Sequence, residues 1–376
     1  MYDKIDAYIR RLVRESSPER TAWNMERVRQ GKPAHWNYID GCMLSALLTL
    51  SDVTGEPLFA DFVATFVDAF VGADGTIRTY DPEKYNLDDV NEGRVLFPLY
   101  AKTGQEKYRL AADNLARQLR DQPRTAEGSF WHKRIYPNQV WLDGIYMAQP
   151  FRALYEKYFG TGDYSDIVRQ IETVRARMFD PEKKLYRHGY DAAKSIFWAD
   201  RETGCSQSFW LRAMGWFATA LADLLEIVDD PAALDRLRPI FTEAMAGIAP
   251  YADPKTAMYY QVVDQGGRAG NYLETSGSCM IAYAMLKGAR LGVLCPEYGA
   301  LGRKTFDGIL NTYFRADGAD VELGGICLVA GLGPDSDRRR DGSYEYYISE
   351  PVLKNDAKGV APLVMCYTEV IQARPA

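Results

Sequence analysis

Apolar residues recur at every third or fourth position along most of the chain, a pattern typical of helices with one buried face. In residues 56–71 the buried face would be formed by Phe59, Phe62, Val63, Phe66, Val67 and Phe70. The same spacing predicts twelve helices, over residues 3–14, 39–52, 56–71, 89–102, 105–120, 144–158, 164–178, 208–226, 231–247, 276–290, 296–314 and 360–373. We therefore expect an all-α fold.

The connections between these helices also repeat. Thr54–Gly55, Thr103–Gly104 and Thr161–Gly162 each follow one apolar helix and precede another, and residues 228–231 and 292–296 hold equivalent places. Gly commonly ends a helix in the left-handed conformation, and Asp, Thr or Pro opens the next helix. Successive connections lie roughly 50–70 residues apart, a spacing at which internal repeats are found. The pattern predicts short helical hairpins joined by longer loops.

Twelve helices in hairpins predict a closed (α/α)6 barrel with six inner and six outer helices. An open helical solenoid is the alternative. We favour closure because the long loops carry the unusual Trp, Tyr and acidic residues, and a toroid gathers such loops around one cleft. No Pro- or Ser-rich linker interrupts the chain, so we expect one domain over residues 1–376.

Composition narrows the possible functions. The chain has 376 residues, of which 47% are hydrophobic and 26% are charged, as in ordinary folded proteins. Its net charge of −6, spread over both signs, argues against a nucleic-acid partner. No run of about 18 apolar residues is present, so we expect no membrane span. The 47 aromatic residues contrast with three His, so a three-His metal site would need every His in the chain.

The location is also predicted from the sequence. The N-terminus is charged and amphipathic without the apolar core of a signal peptide. The six Cys include no Cys-x-x-Cys pair, which indicates reduced thiols. We expect a cytoplasmic protein that is a monomer or a weak homo-oligomer. The sequence contains no nucleotide-binding loop, serine-hydrolase elbow or His-Glu-x-x-His motif.

Two acidic clusters are candidates for chemistry. Asp88 and Asp89 open a predicted helix, where one of them could serve simply as the N-cap. Asp143 also lies at a helix start, so capping is again an alternative. However, Trp131, Trp141, Tyr146, Met147 and His132 lie close to it in the sequence. Poor solvation among such residues would raise the pKa of Asp143, as is usual for a general acid.

Further candidates could bind a sugar. Trp210, Arg212 and Trp216 fall within two turns of one predicted helix, where the Trp rings could stack on a sugar and Arg212 could bind a carboxylate. A buried aromatic stripe is the alternative. His188 lies in a predicted turn, where a structural hydrogen bond is the simpler role. The polar, aromatic loop at residues 340–359 could close the barrel or rim a cleft.

Four runs of residues resemble one family in order and in detail: Trp131–His132–Lys133, YNLDD at residues 85–89, WLDGIYMAQPF at residues 141–151 and GSYEYY at residues 342–347. They resemble family 105 of the glycoside hydrolases, the unsaturated rhamnogalacturonyl hydrolases, which are related to the unsaturated glucuronyl hydrolases. The resemblance extends from about Trp36 to Lys358. It implies an (α/α)6 barrel, a small oligosaccharide as substrate, and neither a metal nor an organic cofactor.

The resemblance also implies a reaction. The substrate is an oligosaccharide left by a pectin lyase, with a double bond between carbons four and five of its terminal uronic acid. The enzyme protonates carbon four and adds water at carbon five, and the resulting hemiketal collapses to release the rhamnose-ended product. Asp143 would be the general acid and then the base for water, and Asp88 would hold ring hydroxyls.

The remaining residues would contact the substrate. The resemblance places His188, Trp210 and Arg212 in the pocket for the unsaturated sugar, and Tyr38, His132, Lys133, Met147 and Trp216 as further contacts. Two alternatives stay open. The protein could be an unsaturated glucuronyl hydrolase that acts on glycosaminoglycan fragments, or a sugar-binding protein without catalytic activity on the same barrel.

Overall fold

The computed structural model describes residues 2–317 and 320–373, and the helices dominate this part of the chain. In chain order they are α1 (Tyr2–Arg14), α2 (Met25–Gln30), α3 (Tyr38–Thr54), α4 (Pro57–Phe70), α5 (Leu87–Asn91), α6 (Leu96–Thr103), α7 (Glu106–Asp121), α8 (Leu142–Tyr158), α9 (Ser165–Met178), α10 (Leu211–Ile227), α11 (Pro231–Ile248), α12 (Thr275–Arg290), α13 (Pro296–Tyr313), α14 (Tyr344–Ser349) and α15 (Ala357–Gln372). The predicted domain 1–376 also includes residues 1, 318–319 and 374–376, which lie outside the described residues.

Short antiparallel strand pairs brace the loops between the helices. The strands are β1 (Gln139–Trp141), β2 (Phe179–Asp180), β3 (Leu185–Tyr186), β4 (Gly189–Asp191), β5 (Phe314–Asp317), β6 (Asp320–Leu323), β7 (Ile326–Cys327) and β8 (Val352–Leu353). They pair as β1 with β4, β2 with β3, β5 with β6 and β7 with β8. None of these strands was predicted, because two to four residues are too few to show the alternation of a strand.

The helices form two concentric rings. The inner ring consists of α3, α5 with α6, α8, α10, α12 and α15, and each member packs against the next until α15 packs against α3. The outer ring consists of α1, α4, α7, α9, α11 and α13. The protein is therefore a closed (α/α)6 barrel, as the sequence predicts.

The two rings differ in how their side chains are buried. Every residue of α10 from Leu211 to Leu225 is buried, as expected for a helix surrounded by protein. The outer helix α7 buries one face only, through residues such as Tyr108, Leu115 and Leu119. Ion pairs join the outer helices at the surface, for example Arg175 on α9 with Glu243 on α11 at 2.7 Å.

The predicted connections between paired helices are confirmed. Gly55 ends α3 with φ of 71° and donates its N–H to the Ser51 carbonyl. Gly104 ends α6 with φ of 65° and donates to the Tyr100 carbonyl. A side chain with a Cβ atom is strained in this left-handed region, so Gly suits both turns.

The predicted helix over residues 89–102 is wrong in its middle. It is divided into α5, a 3-10 turn at Glu92–Val95 and α6. Pro98 explains the division, because it has no N–H to donate to the Arg94 carbonyl and its ring would clash with that carbonyl in a continuous helix. The six-residue helices α2 and α14 were not predicted, because each is too short to show a helical period.

Segments from both ends of the chain close the barrel. Tyr2 on α1 stacks on Tyr367 of α15, with ring centroids 5.8 Å apart. The Ala357 N–H donates to the Trp23 carbonyl at 2.8 Å. The sixth hairpin therefore combines the first and the last long helices of the described chain.

Two predictions about the whole chain can be compared with the structure. No α-helix in residues 2–317 and 320–373 is long and apolar enough to cross a membrane. The six Cys are free thiols, and only Cys295 among them is exposed.

Candidate active site

The N-terminal ends of the inner helices carry a repeated pattern of polar side chains. The second residue of each of five inner helices is polar: Asp88 of α5, Asp143 of α8, Arg212 of α10, Ser276 of α12 and Lys358 of α15. Tyr38 is the first residue of α3. Because helix N-termini carry a partial positive charge, this mouth of the barrel favours an anionic ligand.

A backbone hydrogen bond places a loop residue beside each of these positions. The first residue of each helix donates its N–H to a carbonyl in another loop: Leu87 to His132, Leu142 to His188, Leu211 to Gln261, Thr275 to Gly325 and Ala357 to Trp23. As a result His132 lies next to Asp88, and His188 lies next to Asp143. The two Asp–His pairs are equivalent parts of consecutive repeats.

Neither Asp88 nor Asp143 is a helix cap, so the capping alternative is wrong. The N-cap of α5 is Asn86, whose side chain accepts a hydrogen bond from the Asp88 N–H. The N-cap position of α8 is Trp141, which makes no side-chain capping bond. Both carboxylates are therefore available for other contacts.

Asp88 belongs to a charged cluster with two predicted site residues. Its Oδ2 atom lies 2.5 Å from the Lys133 ammonium, and its Oδ1 atom lies 3.4 Å from His132 Nε2. Burial lowers the pKa of His132 to about 4, although the Asp88 charge opposes this effect. His132 is thus neutral at pH 7, and Lys133 supplies the countercharge of Asp88.

Asp143 is only 8% exposed and faces His188, with Oδ2 and Nε2 3.1 Å apart. The atoms are close but off the line of a hydrogen bond, and neither has another partner. Burial is the largest single effect and favours a higher pKa for Asp143, but the combined effects of His188, His132 and a backbone hydrogen bond outweigh it, and the net pKa is lowered. The predicted rise in this pKa is wrong, because the sequence did not reveal that His188 lies against the carboxylate.

His188 is enclosed by aromatic rings. Its centroid lies 4.8 Å from that of Trp210 and 5.5 Å from that of Trp141. Its Nδ1 atom lies 2.6 Å from the hydroxyl oxygen of Tyr347. The imidazole is fully buried, with Nδ1 held by Tyr347 and Nε2 facing Asp143, so His188 is more than a residue in an open turn.

Arg212 is a buried cation without a carboxylate partner among the described residues. It is 1% exposed, and its Nη1 donates to the Ser276 hydroxyl at 3.2 Å and to the Cys327 carbonyl. The neighbouring Trp210 indole N–H is buried and makes no hydrogen bond to a described residue. An unpaired buried charge is costly, so the Arg212 site is suited to an anion.

The remaining predicted residues line the deeper part of the same mouth. Tyr38 makes an edge-to-face contact with Trp216 at 6.0 Å, and Trp216 stacks on Tyr146 at 4.7 Å. Met147 is buried one helical turn after Asp143. All ten predicted site residues thus lie at or just inside one end of the barrel, and their roles stay predictions.

Sequence reasoning did not name Tyr347, Ser276 or Lys358 as site residues, although Tyr347 and Lys358 lie in the loop of residues 340–359 that it expected to close the barrel or rim a cleft. Lys358 is buried, 2.7 Å from Glu26 and 3.0 Å from Asp356. Gly144, Gly277 and Gly359 directly follow Asp143, Ser276 and Lys358 in the sequence. A polar residue followed by Gly at the start of three inner helices is the signal that could have identified Ser276 and Lys358.

A cavity of about 430 Å³ lies at the opposite end of the barrel. It is lined mainly by the C-terminal parts of inner helices, including Asp223, Lys287 and Glu369, and by Arg94 from the 3-10 turn between α5 and α6. Asp223 holds Arg94 at 2.6 Å and Lys287 at 2.9 Å. These cations are compensated by carboxylates, unlike Arg212, so the candidate active site lies at the N-terminal mouth.

Comparisons with known proteins agree with this geometry. The family model of Glycosyl Hydrolase Family 88 matches residues 9–374. A solved structure from C. acetobutylicum, a glycoside hydrolase from family 105, is 37% identical, with 99% of both chains covered and a TM-score of 0.90. Protein Atu3128 of Agrobacterium fabrum is 41% identical over 229 residues, which are 59% of this chain and 97% of that protein.

A more distant relative has a named activity. The unsaturated rhamnogalacturonyl hydrolase YesR of Bacillus subtilis is 23% identical over 265 residues, which are 68% of this chain and 72% of that protein. The match to the family model covers nearly the whole chain, and the C. acetobutylicum structure agrees with it from end to end. The chain therefore belongs to the glycoside hydrolases of families 88 and 105, the group of unsaturated uronyl hydrolases.

Proposed function

We propose that this enzyme hydrolyses unsaturated galacturonyl-rhamnose oligosaccharides derived from rhamnogalacturonan. The main observation in support is the Arg212 guanidinium, which forms no ion pair with a described residue. It lies on α10, the inner helix next to α8, which holds Asp143. A uronate carboxylate at Arg212 would receive charge-assisted hydrogen bonds, and the free Trp210 N–H could add one more. The double bond of the sugar would then face the Asp143–His188 pair.

The chemistry requires one proton donor that later accepts a proton. The proton held by the Asp143–His188 pair passes to carbon four of the alkene, and positive charge develops at carbon five and the ring oxygen. Water adds to carbon five and gives its proton to Asp143. The hemiketal then opens, and the second sugar leaves as an alcohol with an open-chain keto acid as the other product.

This reaction differs from ordinary glycoside hydrolysis. Retaining and inverting glycosidases use two carboxylates that act directly on the glycosidic bond. Asp88 is not free for such a role, because Lys133 binds it at 2.5 Å. Asp88 is better suited to accept hydrogen bonds from ring hydroxyls, while Asp143 alone handles the protons.

The balance of charges supports an uncharged second sugar. Lys133 is paired with Asp88, and Lys358 is paired with Glu26 and Asp356. Arg212 alone among these three cations forms no ion pair with a described residue, although Glu274 and Asp356 act on it electrostatically, and this suits one substrate carboxylate and a neutral neighbour such as rhamnose. The 23% identity with the rhamnogalacturonyl hydrolase of Bacillus subtilis points the same way.

An alternative function is hydrolysis of unsaturated glycosaminoglycan fragments. One observation favours it: Arg340 lies beside Tyr346 and forms no ion pair with a described residue. A sulfate on the second sugar could use this guanidinium. Since Arg340 already contacts the Tyr346 hydroxyl, rhamnogalacturonan remains our first proposal.

A substrate comparison tests these functions. The purified enzyme is given either unsaturated galacturonyl-rhamnose or an unsaturated chondroitin disaccharide, and loss of the alkene absorbance is followed. We expect kcat/KM to be at least tenfold higher for the rhamnose compound, with no turnover by Asp143→Asn. Faster turnover of the chondroitin compound would support the alternative, and turnover of neither would contradict both.

We also infer a cytoplasmic enzyme whose partner is a small oligosaccharide. Five of the six free Cys are buried and unpaired, which suits a reducing compartment. Fractionation of the native host, with blotting for the protein, would test the location. Recovery in the secreted fraction would contradict it.

A further inference from the structure

Tyr347 is held in place by three separate contacts. Its ring stacks on Trp210, with centroids 5.6 Å apart and planes 13° apart. Its carbonyl accepts a hydrogen bond from Gln261 Nε2 at 3.1 Å. Its hydroxyl lies 2.6 Å from His188 Nδ1 and has no other hydrogen-bond partner among the described residues. Tyr347 is fully buried, so water does not compete for this bond.

The two nitrogen atoms of His188 therefore have different partners. Nδ1 faces the Tyr347 hydroxyl, and Nε2 faces the Asp143 carboxylate at 3.1 Å. A neutral imidazole has one donor and one acceptor nitrogen, and a tyrosine hydroxyl can either donate or accept. When the Tyr347 hydroxyl donates to Nδ1, the imidazole proton lies on Nε2, which faces Asp143 Oδ2. The proton that goes to the substrate is then carried on the other carboxyl oxygen, Oδ1, and the imidazole keeps the same tautomer whether or not Asp143 holds that proton.

We propose that Tyr347 is a positioning residue whose hydroxyl donates to His188 Nδ1 and so keeps the Nε2–H of His188 towards Asp143 in both the acid step and the base step. This inference rests on the proposed function. In the first step the pair gives its proton to carbon four of the alkene. In the second step water bonds to carbon five and its proton returns to the pair. Neither His188 nor Tyr347 gains or loses a proton, since the proton leaves Asp143 in the first step and returns to Asp143 in the second.

Other titratable or charged groups lie near Asp143, His188 and Tyr347, on separate loops. His132 lies on the loop before β1, and Arg340 and Asp341 lie on the loop before α14. Burial raises the pKa of Tyr347, with smaller contributions from Tyr346 and Asp143, so its hydroxyl stays protonated at working pH. Removal of the hydroxyl alone leaves all these groups in place.

Tyr347→Phe tests the proposal, because Phe keeps the ring on Trp210 and removes only the oxygen. We expect kcat to fall about 10- to 100-fold, the size of effect seen when the outer partner of a functional His is lost, with KM within twofold. We also expect the pH dependence of kcat to change, because the hydroxyl no longer fixes the tautomer of His188 beside Asp143. Tyr346→Phe is the matched control and should keep both kcat and the pH profile. Unchanged kcat and pH profile in Tyr347→Phe would overturn the proposal.

Nitrogen NMR gives a second readout that does not depend on turnover. The chain has three His, so the imidazole nitrogen signals can be assigned by single substitutions. At pH 8 we expect His188 in the free enzyme to be the Nε2–H tautomer, and Tyr347→Phe to shift its Nδ1 signal towards that of a free acceptor. Mixed tautomers in the wild-type protein would overturn the proposal even if the Phe variant failed to fold. Inactivity of the wild type on both disaccharides would instead contradict the proposed function.

Discussion

Asp143 and His188 are joined through the backbone as well as through their side chains. The residue before Asp143, Leu142, donates its N–H to the His188 carbonyl at 3.1 Å. This bond extends the β1–β4 ladder, in which Trp141 is paired with Gly189. The distance between carboxylate and imidazole is thus set by secondary structure and not by a flexible loop.

Replacement of Asp143 by Asn should stop catalysis and spare binding. Asn has the same shape, but it cannot give a proton to carbon four or take one from water. Since general acid–base catalysis contributes about 10²- to 10⁴-fold, we expect kcat to fall at least about 10³-fold. Calorimetric titration with the unsaturated disaccharide should give a Kd within about fivefold of the KM of the wild type.

Asp235→Asn on the outer helix α11 is the matched control for this variant. More than 10% residual activity in Asp143→Asn would contradict the role of Asp143 as general acid and base.

Arg212→Gln should weaken binding without lowering stability. A hydrogen bond to a charged group is worth about 1.5–3 kcal/mol, so we expect KM to rise roughly 10- to 150-fold. The free enzyme loses an unpaired buried charge, so its free energy of unfolding should stay the same or increase. Denaturant unfolding with and without substrate measures both effects.

Arg290→Gln is the control for Arg212→Gln, because Arg290 is an arginine that does form ion pairs. It pairs with Glu226 at 2.9 Å and with Glu369 at 2.7 Å at the other end of the barrel. Arg290→Gln should lower stability and leave KM unchanged. If Arg212→Gln behaves in the same way, Arg212 is a structural residue and does not bind the substrate carboxylate.

Asp89 should make stability fall as the pH rises. Burial raises its pKa to about 7, and the neighbouring Asp88 charge adds to the shift. The folded protein therefore keeps a proton that the unfolded chain releases near pH 4, so stability is highest at low pH and is lost as the pH rises through 7. The full shift corresponds to at most about 4 kcal/mol.

Asp89→Asn removes this dependence. We expect the variant to gain more stability over the wild type at pH 8.5 than at pH 5, measured by denaturant unfolding at each pH. Asp61→Asn on the exposed side of α4 makes the same chemical change without burial. Equal gains by Asp89→Asn at both pH values would show that Asp89 is ionised in the folded protein.

Gly277→Ala should destabilise the barrel, although Ala usually favours a helix. A Cβ atom at this position would lie 2.4 Å from the Leu211 Cγ atom, where α12 meets α10. The clash should cost about 1–3 kcal/mol, more than the gain of about 1 kcal/mol from helix propensity. Thermal unfolding checks the sign. The double variant with Leu211→Ala should lose less stability than the sum of the two single variants, and simple additivity would show that the two residues do not clash.

The sequence predicted the helices and the closed ring well, because both depend on local patterns. The three-four spacing and the Gly connections are visible within about twenty residues. The resemblance also indicated Asp143, Asp88 and Arg212, which the structure brings to one mouth. The division near Pro98 was missed because a helical pattern continues across it.

The electrostatics of the site could not be predicted in the same way. The pKa of Asp143 depends on His188, which is 45 positions further along the chain, and the orientation of His188 depends on Tyr347, which is 159 positions further still. The aromatic neighbours of Asp143 in the sequence indicated burial correctly. Burial is only one of two opposing effects on its pKa, and the other requires knowledge of the fold.

The closure of the ring by α1 and α15 affects how the protein folds during its synthesis. Tyr38 enters the growing chain early, whereas Lys358 enters only when α15 is made. Until then the ring has a gap between α3 and α12, and both flanking helices expose surfaces that α15 later covers. A nascent chain therefore lacks both a complete mouth and a sealed core until α15 has been made and has packed between α3 and α12.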